Sequence, residues 1–107
     1  MVKARKKLRL ALITNARSDY TTIYPVMQRS LADSEIDARI VCAGMHLQKK
    51  FGSTWRQLEK DGIPIHYKLP YFEGDDSNRA MGLSLGKGAR AFTRLLDDIQ
   101  PDYVVLS

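Results

Sequence analysis

The strongest constraint on the fold of this chain is the regular alternation of short apolar runs with stretches of helical periodicity. Apolar runs rich in β-branched side chains lie at residues 8–14, 36–43, 63–69 and 103–106, and such runs are typical of strands in a parallel sheet. Between them, apolar residues recur every three or four positions, as in amphipathic helices. The order β-α-β-α-β-α-β predicts a parallel sheet with right-handed crossovers and helices on both faces.

The predicted helices differ in how clearly their ends are marked. Pro25 lies in the first stretch of helical periodicity. A proline in the interior of a helix removes a hydrogen bond, whereas a proline in the first turn costs little. We therefore expect the first helix to begin near Thr22 and to end near Ser34. The second helix is expected at residues 51–58 and the third at residues 85–99.

The predicted topology is the first half of a doubly wound, Rossmann-like fold with strand order 3-2-1-4. Pro64 cannot donate to a sheet ladder, so it favours an edge position for the third strand. Ligands of such folds bind beyond the carboxyl ends of the strands, where the strand order reverses. The reversal falls between the first and fourth strands, and we expect the site there.

The net charge of +5 has a local origin. Five basic residues fall within the first nine, namely Lys3, Arg5, Lys6, Lys7 and Arg9. Without them the chain holds 12 basic and 12 acidic residues, so its body is neutral. We therefore interpret residues 1–7 as a basic solubilising tail and residues 8–107 as one Rossmann-like domain. Nucleic acid is not an expected partner, because neither a recognisable module nor a basic face accompanies the charge.

The length of the apolar runs and the number of cysteines limit the cellular compartments that fit this chain. No apolar run approaches the ~20 residues that a membrane span needs, and the run at residues 8–13 is too short for a signal-peptide core. A single cysteine, Cys42, excludes an internal disulfide and fits a reducing compartment. We therefore predict a cytoplasmic protein with no membrane partner.

Several motifs that suggest chemistry lack the context that the chemistry needs. Residues 82–86 match G-x-S-x-G, but no strand leads into the serine as a nucleophile elbow requires. Residues 86–91 loosely match a dinucleotide fingerprint, but they follow a helical turn instead of the first strand. Cys42 and His66 lie on predicted strands and are interpreted as structural, and no metal site is expected.

Two loops at the predicted carboxyl edge carry better candidates. In residues 14–20, Arg17 could grip a phosphate or carboxylate in bidentate fashion beside a helix N-terminus, and Asp19 lies where an N-cap would be. The alternative is that Asp19 only caps and Arg17 is only a surface cation. In residues 44–47, His46 could contact a ligand or transfer a proton, and the alternative is that it holds its turn.

These segments together resemble the hydrolysing UDP-N-acetylglucosamine 2-epimerases of sialic acid and related nonulosonic acid synthesis. The resemblance covers nearly the whole chain after residue 7. The matching segments are residues 14–20 with Pro25, residues 43–47 followed by Phe51-Gly52 and Thr54, the turn 59–62, and residues 81–86 leading to Pro101-Asp102.

The resemblance implies the N-terminal half of a GT-B fold, in which two Rossmann-like domains hold a nucleotide sugar between them. It implies elimination of UDP to an unsaturated 2-acetamidoglucal, followed by hydration to N-acetylmannosamine, with no metal or nicotinamide cofactor. Arg17, Ser18 and Asp19 would bind the nucleotide diphosphate with Thr21 nearby, and His46 would act as an acid/base or position the sugar. Ser18 replaces an alanine that is common in the family.

The resemblance also implies that this chain lacks most of the catalytic machinery. The family continues past the fourth strand with a Gly-Asp-Arg-type motif and a second domain, whereas this chain ends at Ser107. We therefore expect a truncated domain that is inactive alone, and a full-length protein that is a homo-oligomer. Two other interpretations stay open, namely the N-terminal half of a GT-B glycosyltransferase and a stand-alone Rossmann-type binding module.

Overall fold

The structure is a computed structural model that describes residues 7–48, 52–71 and 77–106. The strands are β1 (Leu8–Thr14), β2 (Ile36–Ala43), β3 (Tyr67–Leu69) and β4 (Tyr103–Val105). The helices are α1 (Arg17–Ala32), α2 (Trp55–Lys60) and α3 (Asn78–Ile99), and a 3₁₀ turn spans Gly44–Leu47. Residues 1–6 of the predicted tail lie outside the described residues, as do Phe51 and Ser107.

All four strands are parallel, and their order is β3-β2-β1-β4. The predicted strand order and the doubly wound arrangement are therefore confirmed. β2 pairs with β1 from Leu8↔Ile36 to Thr14↔Cys42, while β4 pairs with only three residues of β1. The carboxyl ends of β1 and β2 consequently lie side by side at one edge of the sheet.

Apolar side chains alternate between two cores, one on each face of the sheet. Leu12 packs with α1 and α2, whereas the next residue, Ile13, packs with α3. The first core contains Leu12, Tyr20, Ile23, Met27, Ala38, Ile40, Cys42, Leu58 and Ile63. The second contains Ala11, Ile13, Val41, Ala43, Leu69, Leu95 and Ile99. Helices therefore cover both faces, as the near-continuous apolar strands predicted.

The predicted start of α1 is wrong. The helix spans Arg17–Ala32 instead of starting near Thr22, so Pro25 lies inside it, and its end lies within two residues of the predicted Ser34. Proline has no N–H to donate to the carbonyl of Thr21, so this helix loses one hydrogen bond. Pro25 is exposed, which leaves that carbonyl open to water and makes the loss tolerable.

The third strand is shorter than predicted, because residues 63–66 are irregular. Pro64 cannot join a ladder, and β3 does lie at the sheet edge as that proline suggested. The His66 side chain takes over part of the pairing, since its Nδ1 accepts the Ile40 N–H at 2.8 Å. The His66 N–H donates to the Ile40 carbonyl at 3.0 Å. The interpretation of His66 as structural agrees with these contacts.

α3 begins at Asn78, which is earlier than the predicted start at residue 85. The Ser77 hydroxyl caps this earlier start by accepting the Ala80 N–H at 3.2 Å. Residues 82–86 lie inside this helix, so their G-x-S-x-G pattern is not a strand-to-helix elbow. Among the described helices, none has the length and apolar character needed to cross a membrane.

Candidate functional site

The loop that follows β1 and the turn that follows β2 are in direct contact at the carboxyl edge of the sheet. The His46 N–H donates to the Asn15 carbonyl at 3.2 Å. This places the arginine-bearing segment and the histidine-bearing turn on the same edge, as the sequence predicted. The two segments form the walls of the candidate site.

The first wall is shaped by the carboxylate of Asp19, which is the third residue of α1. One of its oxygens accepts the N–H groups of Asn15 at 3.1 Å and Ala16 at 3.2 Å, and the other accepts the Thr14 hydroxyl. Ala16 is the N-cap residue, so the predicted N-cap position of Asp19 is wrong by three residues. Its predicted acceptance of backbone N–H groups is confirmed.

This capping pattern has a consequence for the start of α1. The first N–H groups of an α-helix have no partner within the helix, and they carry a partial positive charge. Asp19 takes the N–H groups that precede the helix, while those of Arg17 and Ser18 lie in its first turn. The first turn therefore offers N–H donors to an anion, and the carboxylate of Asp19 points back toward the loop.

The second wall is held by His46, whose side chain is completely buried. Its Nε2 lies 2.8 Å from Thr14 Oγ1 and its Nδ1 lies 2.8 Å from Thr54 Oγ1. A carboxylate only accepts hydrogen bonds, so the Thr14 hydroxyl donates to Asp19 and accepts from His46 Nε2–H. The neutral ring then accepts the Thr54 hydroxyl at Nδ1. The four side chains form one directed chain from Thr54 through His46 and Thr14 to Asp19.

Burial lowers the pKa of His46 below its ordinary value, and the nearby charge of Asp19 opposes this only in part. His46 is therefore neutral at pH 7, with its proton on Nε2. Both ring nitrogens are occupied and no part of the ring is exposed. This geometry supports the role of holding the turn, and proton transfer by His46 stays a prediction.

A small cleft of about 290 Å³ lies between the two walls. Its lining residues are Ala16, Arg17, Ser18, Met45 and Thr54. Arg17 is exposed, and within the described part of the chain its guanidinium makes no ion pair or hydrogen bond. Two of the predicted diphosphate-binding residues, Arg17 and Ser18, therefore share one cleft with Met45, whereas Asp19 and His46 do not line it. This cleft lies between the segments that follow β1 and β2, not between the ends of β1 and β4 where the sequence predicted the site.

Thr21 does not line this cleft. Thr21 lies about one turn after Ser18 in α1, and its hydroxyl donates to the Ser18 carbonyl at 3.1 Å. Larger cavities lie at the amino end of the sheet beside Asp33 and along α3 beside Met81 and Arg90. None of these cavities is lined by a residue that the sequence proposed for the site.

Three contributors to the site, Thr14, Thr54 and Tyr71, were given no role in the site from the sequence. Thr14 ends an otherwise apolar strand and is completely buried, and a polar residue inside an apolar run is the signal that could have found it. Thr54 was noted only as part of the family resemblance, and Tyr71 gave no signal. Their contacts with His46 and Asn15 depend on how distant segments pack.

The remaining candidate chemistry is structural. Cys42 is buried, and burial raises the pKa of its thiol to about 12, which makes it a poor nucleophile. Across residues 7–48, 52–71 and 77–106, no three His, Cys, Asp or Glu side chains are grouped closely enough to hold a metal ion.

No family model matches the chain. It is 26% identical over 98 residues to the UDP-N-acetylglucosamine 2-epimerase of Neisseria meningitidis serogroup B, and the alignment covers 92% of this chain and 25% of that protein. It is 24% identical over 100 residues to the GDP/UDP-N,N'-diacetylbacillosamine 2-epimerase (hydrolyzing) of Campylobacter jejuni, covering 94% and 26%. It is also 26% identical over 98 residues to the UDP-N,N'-diacetylbacillosamine 2-epimerase (hydrolyzing) of Legionella pneumophila, and the alignment covers 92% of this chain and 26% of that protein.

Comparison with solved structures finds a similar fold in proteins of the same kind. The structure of UDP-GlcNAc 2-epimerase from Neisseria meningitidis bound to UDP-GlcNAc matches with a TM-score of 0.70 and 17% identity, over 91% of this chain and 25% of that one. A second UDP-N-acetylglucosamine 2-epimerase structure matches with a TM-score of 0.73 and 18% identity, over 92% and 26%. The α/β fold thus matches part of these GT-B-like proteins, and the chain spans about a quarter of their length.

Proposed function

From the homology of this chain to UDP-N-acetylglucosamine 2-epimerases over about 92% of its length, we propose that it forms the N-terminal nucleotide-sugar-binding part of a hydrolysing 2-epimerase. The substrate is UDP-N-acetylglucosamine or a related nucleotide sugar. The observation that carries this proposal is the exposed Arg17 beside the first turn of α1, both facing one cleft at the carboxyl edge of the sheet.

The chemistry of this cleft suits a diphosphate. The first-turn N–H groups of Arg17 and Ser18 supply donors, and the helix dipole supplies partial positive charge. The Arg17 guanidinium adds full charge and a planar pair of donors that matches two phosphate oxygens. Asp19 contributes by fixing the loop, since its carboxylate oxygens are used by backbone N–H groups and by Thr14.

The proposed reaction begins with loss of the C2 proton and cleavage of the C1–O bond, so that UDP leaves and a C1–C2 double bond forms. Water then adds across this bond and delivers the 2-epimer, N-acetylmannosamine or its analogue. The described residues of this chain would hold the leaving diphosphate, and His46 would hold the turn beside the sugar. Because the chain spans about a quarter of the length of its relatives, we expect it to bind the nucleotide without catalysing the reaction.

Nuclear magnetic resonance of the ¹⁵N-labelled chain tests the proposal directly. Titration with UDP should shift the amide signals of residues 16–18 and of Met45 in a saturable manner, because these residues line the cleft. Inorganic phosphate should shift the same signals more weakly. The proposal is wrong if UDP causes no saturable shift or if the shifts map to the amino end of the sheet.

A second measurement separates the epimerase from a glycosyltransferase with the same fold. A longer polypeptide that contains this sequence should release UDP and a free 2-epimer from the nucleotide sugar in the absence of any acceptor. Product analysis by mass and by chromatography distinguishes this outcome from transfer of the sugar to an acceptor.

A further inference from the structure

Tyr71 touches both walls of the candidate site without lining the cleft between them. It directly follows the short β3–Pro70 segment, and its ring belongs to the core on the α3 face of the sheet. Its hydroxyl donates to Asn15 Oδ1 at 2.9 Å. Burial raises the pKa of Tyr71, with a smaller contribution from the charge of Asp19, so the phenol keeps its proton at neutral pH and remains a donor.

The first contact ends on a residue that is held from three sides. The Asn15 N–H donates to the Asp19 carboxylate, and the Asn15 carbonyl accepts the His46 N–H at 3.2 Å. The Tyr71 hydroxyl holds the Asn15 side chain. Asn15 immediately precedes Ala16 and Arg17, so its position determines where the first turn of α1 begins.

The second contact lies at the start of the turn that follows β2. Gly44 has φ of +56°, and a Cβ added there would lie 2.6 Å from the Tyr71 hydroxyl and 2.9 Å from its Cζ. The backbone of the turn therefore rests directly on the phenol. On the other side, α3 approaches the ring at Gly88, where an added Cβ would lie 3.4 Å from Cγ of Tyr71. Phe92 lies one turn further along α3, with its ring centroid 6.5 Å from that of Tyr71.

We propose that Tyr71 is a positioning residue that fixes the two walls of the nucleotide cleft relative to each other, acting through Asn15 on one wall and Gly44 on the other. Its ring is backed by α3, so α3 supports the cleft through this side chain. The statement that the cleft binds a nucleotide rests on the proposed function, whereas the fixing of the two walls does not.

Tyr71→Phe removes the hydroxyl and keeps the ring that packs on Gly88 and Phe92, so the variant should fold. Amide hydrogen exchange should become about 3–10-fold faster at residues 15–18 and 44–47, as expected for loss of one hydrogen bond that limits local opening. Exchange in the strands should be unchanged. Tyr103→Phe is the matched control, because Tyr103 lies on β4 and the residue is 65% exposed.

A double-mutant cycle tests whether Tyr71 acts through Asn15. In the parent chain, Tyr71→Phe should weaken UDP binding about 3–10-fold, in line with one lost hydrogen bond. In the Asn15→Ala background, the same substitution should change the affinity less than about twofold, because its partner is already absent. Equal effects in both backgrounds would overturn the action through Asn15.

The two measurements separate the two hypotheses. Unchanged exchange at residues 15–18 and 44–47 in Tyr71→Phe, or an equal change in Tyr103→Phe, would overturn the positioning role whatever the ligand affinity is. Failure of the parent chain to bind UDP would overturn the proposed function. Faster exchange confined to the two walls would support the role of Tyr71 in either case.

Discussion

His46 Nε2 lies 2.8 Å from Thr14 Oγ1, and this contact joins the carboxyl end of β1 to the turn after β2. Both side chains are completely buried. The Thr14 hydroxyl donates a hydrogen bond to the Asp19 carboxylate, so the buried side chains connect the turn to the first turn of α1 through this hydroxyl, in addition to the backbone contact between His46 and Asn15. The two walls of the cleft therefore behave as one unit whose geometry depends on Thr14.

Thr14→Val tests this dependence, because valine matches threonine in shape but lacks the hydroxyl. The substitution removes the oxygen that Thr14 offers to His46 Nε2 in a buried place, and it removes one donor from Asp19. We expect the free energy of unfolding to fall by about 1–3 kcal/mol, as measured by urea denaturation. Thr22→Val is the control, since Thr22 is exposed on α1, and comparable losses in both variants would contradict the role of Thr14.

The two cores could be predicted from the hydrophobic pattern, and the strand order from the alternation of strands and helices together with the general topology of doubly wound folds. Leu12 and Ile13 are adjacent apolar residues on a strand, so they point to opposite faces and need a helix on each. The edge position of β3 followed from Pro64 in the same way. Such features are local in the sequence, and no distant contact is needed to infer them.

The start of α1 and the burial of His46 could not be predicted from local pattern. Pro25 suggested a late helix start, but Asp19 reaches back to the N–H groups of Asn15 and Ala16 and fixes an earlier one. His46 is buried because Thr14, 32 residues before it, and Thr54, eight residues after it, take both ring nitrogens. These outcomes depend on three-dimensional packing that a single sequence does not express.

Gly44→Ala should destabilise the chain more than Gly62→Ala does. Both glycines have positive φ, +56° and +76°, so an alanine at either position costs about 1 kcal/mol of backbone strain. At Gly62 nothing lies within 4 Å of an added Cβ, whereas at Gly44 the Tyr71 hydroxyl lies 2.6 Å away. Urea denaturation should show a loss above about 2 kcal/mol for Gly44→Ala. Equal losses in the two variants would show that Tyr71 does not pack on this turn.

Arg17→Ala should weaken the binding of UDP without changing the stability of the fold. The guanidinium makes no ion pair or hydrogen bond with the described residues, so its removal leaves nothing unpaired. Loss of a charge-assisted contact to phosphate should raise the Kd by about 10–100-fold, measured by calorimetry. Arg29→Ala is the control, because Arg29 is exposed in the last turn of the same helix. Equal affinities of the two variants for UDP would place the nucleotide elsewhere.

The buried chain of hydrogen bonds predicts the protonation state of His46 and its dependence on pH. Burial lowers the pKa of His46 in the folded chain, so between that value and about 6.5 the unfolded chain binds the extra proton. Stability is therefore fully present above pH 6.5 and falls as the pH drops below it. The chain has two histidines, and His66 has a lowered pKa as well.

His66→Asn isolates the contribution of His46, because an asparagine oxygen can still accept the Ile40 N–H that His66 Nδ1 accepts. In this variant, ring ¹⁵N signals at pH 7 should report a neutral His46 with its proton on Nε2, since that nitrogen donates to Thr14. The free energy of unfolding should still decrease from pH 7 to pH 5. The pKa of Asp37 is lowered to about 2, mainly by its hydrogen bond with Arg39. Protonation of Asp37 therefore lowers the free energy of unfolding only below about pH 4, outside the range from pH 7 to pH 5. A His46 ring that titrates near pH 6.5, or that carries its neutral proton on Nδ1, would contradict the directed chain from Thr54 to Asp19.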